Sequence, residues 1–89
     1  MPAIHLLVKG KVQGVYFRAF ILKKGISLGI TGWVQNTDDG AVEIIANGNE
    51  VSLEQLKAWC YVGPPAAVVY EVISTDVDEH YANSFVIKN

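Results

Sequence analysis

Apolar and polar positions follow two different periods along this chain of 89 residues. Residues 4–9, IHLLVK, are apolar and β-favouring, and the run through Val12 predicts a first strand. A turn follows over residues 13–17. Residues 18–28 then read as a helix. Ile21, Gly25 and Leu28 share one face at i, i+4 and i+7. Leu22 and Ile26 add a second apolar row, so the apolar surface is wide, and Phe20 falls among Lys23, Lys24 and Ser27 on the polar side. Gly25 inside a helix costs roughly 1 kcal/mol against Ala, and close approach to a sheet is the usual reason to keep it. If its φ is helical, Gly25→Ala is expected to add a few tenths to about 1 kcal/mol of stability. Gly29 ends the helix.

Residues 31–37, TGWVQNT, read as a second strand. Asp38-Asp39-Gly40 supplies turn chemistry, and residues 41–46, AVEIIA, return as the other arm of a hairpin. A second helix is punctuated by Ser52 as N-cap with Gln55 three residues on, a capping-box pattern, and Val51 is placed to staple against Leu56. Its buried face is expected to hold Leu53, Leu56, Trp59 and Cys60. Gly63 closes it and Pro64-Pro65 prevents its continuation. Residues 67–77 read as a fourth strand. After the polar turn DEHYAN, SFVIK can add a short final strand. The order β-α-β-β-α-β predicts an α+β fold of the ferredoxin-like kind: an antiparallel sheet with two helices on one face, a single domain over residues 1–89. In that topology the first two strands run parallel with another strand between them. Their C-terminal ends meet at one sheet edge, where the turn at residues 13–18 leaves and Asn36 arrives.

Composition narrows the class. The chain is 51% hydrophobic and 18% charged, a globular balance. No apolar run reaches the roughly 18 residues of a membrane span. The N-terminus lacks the features of a signal peptide. With the single cysteine Cys60, which has no internal disulfide partner, this makes a reducing cytoplasm the expected location. A net charge of −2 argues against a general nucleic-acid binder. Yet residues 1–37 hold Lys9, Lys11, Arg18, Lys23 and Lys24 and no acid, whereas all nine acids lie beyond. Folding can interleave the two parts, or the first can build an anion site.

The turn at residues 13–18 suits an anion. A loop opening into a helix presents backbone N–H groups without intrahelical partners, at the positive end of the helix dipole. Gly14 lets the backbone curve inward, and Arg18 adds a planar, permanently charged fork for phosphate oxygens. The Walker A spacing is missing, which points to a small phosphate group over a nucleoside triphosphate. Asn36 can orient a nucleophilic water but is no strong base. The pair therefore suits a substrate with a good leaving group, such as a mixed carboxylic–phosphoric anhydride. Taken singly, each residue has a plainer reading: a turn glycine, a solvated or paired arginine, a turn asparagine. Cys60 reads as a core thiol. His5 and His80 lack ligand spacing, so no metal site is expected. Asp76, Asp78 and Glu79 read as a solvated acidic loop, and Trp33 and Trp59 as packing residues.

GKVQGVYFR at residues 10–18 resembles the first signature of the acylphosphatase family. LGITGWVQN at residues 28–36, continued by DGAVEI at residues 39–44, resembles its second. GPPA at residues 63–66 is similar to the family as well, and the likeness runs almost end to end. The resemblance implies the ferredoxin-like fold and metal-independent, cofactor-free hydrolysis of small-molecule acyl phosphates. Inorganic phosphate would be product and inhibitor. From the net charge and hydropathy above, no nucleic-acid or membrane partner is expected, and a monomer is expected. By position, Arg18 would bind the phosphoryl group with the backbone N–H groups of Gln13, Gly14, Val15, Tyr16 and Phe17, and Asn36 would orient the attacking water. The chain departs from the commonest pattern at Gly25, where alanine is usual, and in the apolar Phe20, Leu22 and Ile26 on helix one. The rival reading is a non-catalytic ferredoxin-like module that binds an anion or a protein through the same edge, with that apolar helix face exposed.

Overall fold

The computed structural model describes residues 2–78 and 82–88. The elements in order are β1 (Ala3–Lys11), α1 (Phe17–Ser27), β2 (Thr31–Asn36), β3 (Val42–Asn47), α2 (Glu50–Val62), β4 (Val68–Val77) and β5 (Phe85–Ile87). They form one five-stranded sheet in the order β4-β1-β3-β2-β5. The predicted βαββαβ order stands, with β3 between the parallel pair β1 and β2. The sheet is mixed, however, and not wholly antiparallel. β4 takes the outer edge of β1, so the open edge left for β5 is that of β2, which it joins in parallel. Two backbone bonds seal that edge, Gly32 N–H to Ser84 O at 2.9 Å and Lys88 N–H to Val34 O at 2.9 Å. The polar turn expected at residues 78–83 falls partly outside the described residues, with Glu79 and His80.

Strand alternation selects the covered face. Leu6 pairs with Ile44, which pairs with Val34, and all three are fully buried. The next row toward the functional edge is Val8, Val42 and Asn36. Asn36 thus occupies a core-facing register at the last position of β2. Ile21 from α1 and Leu53, Leu56 and Cys60 from α2 complete the core. Burial pushes the Cys60 thiol up to about 12, so it stays a protonated core group.

Five local expectations are corrected. The N-cap of α2 is Asn49, whose Oδ1 accepts from Ser52 N–H at 2.8 Å. The helix therefore starts earlier than a Ser52 cap would allow. Val51 lies within it and is exposed, so no staple forms. The apolar surface of α1 is also largely covered. Phe20 and Leu22 pack on the core, leaving Ile26 exposed. The Phe20 ring meets Trp59 edge-on, with centroids 5.8 Å apart, and Lys24 Nζ lies 3.9 Å from the Trp59 ring centroid. Trp59 therefore bridges the helices at the surface and is no core residue. Finally, a Cβ on Gly25 would fall on the ring of buried Phe85 in β5. Close approach is thus why glycine stands there, and a stabilising Gly25→Ala is not expected.

Candidate active site

The segment between β1 and α1 is pinned from beneath. Val12, Val15 and Phe17 are buried, while Gly14 and Tyr16 face solvent. The Phe17 ring lies against Gly63 at the end of α2, so the GPPA stretch supports the loop from the far helix. Gly14 has φ 74° and Tyr16 has φ 65°. Left-handed residues alternating with an ordinary one turn successive N–H groups toward a common concavity, the geometry of an anion nest. For Tyr16 this conformation costs roughly 1–2 kcal/mol. Tyr16 is the N-cap of α1 and makes no side-chain capping bond, and the first turn carries no acid. The helix start therefore keeps free donors and an uncompensated positive dipole end.

The Gln13 side chain, expected to contribute only its backbone, does something further. Its Nε2 donates to Thr37 O and to Ala41 O, each at 2.8 Å. One amide thus ties the loop to the turn that follows Asn36. That turn is closed by Thr37 N–H to Ala41 O at 2.9 Å and by a short bond from Thr37 Oγ1 to the Asp39 carboxylate. The Thr37 hydroxyl holds the Asp39 carboxyl below the usual carboxylate range. No sequence pattern signals the Gln13 contact, because both acceptors are backbone carbonyls over 20 residues away.

Gly14, Tyr16, Arg18 and Asn36 line one pocket of about 460 Å³, with Ala19 and Ile87. Val12 and Phe17 complete its lining. The predicted convergence of the β1 exit and the β2 end is therefore observed. Arg18 is half-buried, and among the described residues no carboxylate pairs with it. Of the five cations before residue 38, Arg18 alone lines the pocket. Asn36 Oδ1 is buried with no hydrogen-bond partner among the described residues. An orphaned buried acceptor costs about 1–3 kcal/mol. Ile87 was missed at the sequence level, since its place depends on β5 joining β2 in parallel and ending at the same edge. Among the described residues, no group of three His, Cys, Asp or Glu side chains could hold a metal ion, and no helix is long and apolar enough to cross a membrane.

The comparisons with known proteins point one way. The acylphosphatase family model matches residues 4–87. The acylphosphatase of Marinobacter nauticus is 53% identical over 73 residues, 82% of this chain and 79% of that protein. The acylphosphatase of Shewanella amazonensis is 48% identical over 83 residues, 91% of each. The crystal structure of acylphosphatase from Bacillus subtilis superposes with a TM-score of 0.97 at 33% identity, covering 100% of both chains. With signatures, fold and pocket in register over nearly its whole length, this chain belongs to the acylphosphatase family.

Proposed function

We propose that the pocket hydrolyses the carboxyl–phosphate bond of small acyl phosphates, releasing a carboxylate and inorganic phosphate. The phosphoryl group sits in the loop, where the N–H groups of residues 13–17 and the Arg18 fork share its oxygens. They stabilise the charge that shifts onto those oxygens in the transition state. Asn36, which lines the same pocket, holds the attacking water through its side-chain amide and aims the water's oxygen at phosphorus. As the new P–O bond forms, the bond to the acyl oxygen breaks and the carboxylate leaves with the electron pair. The water's proton passes to a phosphoryl oxygen, so no protein base is needed. Gln13 keeps the two halves in register, and positioning supplies much of the barrier reduction.

The observation that carries this reading is that Asn36 and Arg18, the latter without a carboxylate partner among the described residues, line one pocket at the start of α1, which has no side-chain cap and no acid in its first turn. The test is hydrolysis of benzoyl phosphate by the purified protein with EDTA present. Rapid turnover is expected, and a rate at background would overturn the proposal. Arg18→Lys, which keeps the charge and loses the bidentate fork, should lower kcat about 10²–10³-fold and weaken inhibition by inorganic phosphate. An unaffected variant would move the phosphoryl site away from Arg18.

A further inference from the structure

The pocket has a second wall that the phosphoryl chemistry leaves unused. Gly14, Arg18 and Asn36 face the reacting group. Tyr16, Ala19 and Ile87 line the remainder together with buried Val12 and Phe17, and among the described residues Arg18 is the only charged member of the lining. A cavity of about 460 Å³ lies within the range of small-molecule sites, about 300–1,000 Å³, and is roomier than a phosphate ion requires. Tyr16 is the notable member. It is the one non-glycine residue with positive φ among the described residues, and the residue is 84% exposed. Folding gains little from an aromatic ring left in water on a strained backbone. A glycine would satisfy the same φ without strain. Ile87 stands on the covered face of β5, since its partner in register is buried Val34. It also lies where β5 ends, at the edge to which β2 delivers Asn36.

We infer that Tyr16 and Ile87 form the acyl subsite and give the enzyme a preference for uncharged, bulky apolar acyl groups, aromatic or branched, over small ones. The ring of Tyr16 covers the acyl group from the loop side and Ile87 supports it from the strand side. The phosphoryl end stays in the nest. This deepens the function proposed above and rests on it.

The experiment measures kcat/KM for benzoyl phosphate and acetyl phosphate in the wild-type protein, Tyr16→Gly and Ile87→Ala. The benzoyl-to-acetyl ratio is compared between proteins, which cancels the different intrinsic reactivities of the two substrates. Tyr16→Gly suits the left-handed backbone, so the loop can keep its path. Each variant should lower the ratio about 5- to 10-fold, a modest value for one partly exposed apolar contact. Circular dichroism and the inhibition constant of inorganic phosphate report whether fold and nest survive. Hydrolysis of neither substrate by the wild type would overturn the function proposed above. Turnover of both, with ratios unchanged within twofold in both variants, would overturn the acyl subsite alone. So would equal losses on both substrates, which would make Tyr16 and Ile87 supports of the loop and not selectors of the acyl group.

Discussion

Asn36 shows at the scale of one residue how stability and chemistry oppose each other. Strand pairing places it in the row of Val8 and Val42, a position where an apolar side chain would extend the core. The chain instead holds an amide there whose Oδ1 is buried with no hydrogen-bond partner among the described residues. Asn36→Ala should therefore cost activity while leaving the fold intact. We expect kcat to fall at least about 10²-fold, with inhibition by inorganic phosphate largely retained, because the nest and Arg18 remain. Thermal melting should show an unchanged or raised midpoint, in line with strain stored at functional sites. A large loss of stability would mean that the amide serves the fold. Cys60 lies at the opposite pole, a nucleophile by composition that burial holds protonated, with its value pushed up to about 12.

Elements meet each other through single contacts that local sequence describes incompletely. In α1, periodicity identifies the buried stripe of Ile21 and Gly25, and the close approach implied by Gly25 is real. The neighbour it approaches is Phe85 of β5, 60 residues away. Gly25→Ala should consequently destabilise the protein by about 1–3 kcal/mol, the usual range for overpacking, and not stabilise it as propensity alone suggests. A midpoint equal to or above that of the wild type in urea unfolding would refute the steric argument. In α2, two capping patterns compete within four residues. Asn49 prevails over Ser52 because its side chain accepts from Ser52 N–H, with Glu50 completing the acidic first turn. Asn49→Ala should cost about 1 kcal/mol, whereas Ser52→Ala should cost far less. The reverse ranking in urea titrations would restore the later helix start.

The whole molecule balances one covered sheet face against one open face. On the open face, Glu43 accepts from His5 Nε2 and from Gln35 Nε2, each at 2.8 Å. These bonds, the His5 one foremost, hold the Glu43 carboxyl below its ordinary 4.5. A carboxyl lowered on folding stabilises the native state above its unfolded value. That contribution disappears as pH falls through the folded value. Below about pH 4.5 the wild-type melting midpoint should therefore drop as Glu43 takes up a proton. Glu43→Gln should show a shallower drop, with a lower midpoint near neutrality. Parallel acid titrations of the two proteins would contradict this assignment. Trp33 lies on the same open face under Lys88, whose Nζ is 4.5 Å from the ring centroid, so it packs on the surface away from the pocket.

Legibility tracked the range of the forces involved. Alternation and helical periodicity are set by residues a few positions apart, and they were sufficient for all seven elements, the βαββαβ order and the shared edge of β1 and β2. The meeting of the turn at residues 13–18 with Asn36 was readable for the same reason, since the turn is contiguous and Asn36 is placed by strand parity. Long-range contacts decided the remainder. The parallel entry of β5, the Phe85 ring against Gly25, the Gln13 amide on Thr37 and Ala41, and Ile87 in the pocket wall all join segments more than 20 residues apart. No local pattern encodes such meetings. Sequence alone determined that the glycine-containing turn at residues 13–18 and Asn36 would share one edge. Tertiary packing decided how that edge is walled, which amide braces it, and that the asparagine's acceptor stays buried with no partner among the described residues.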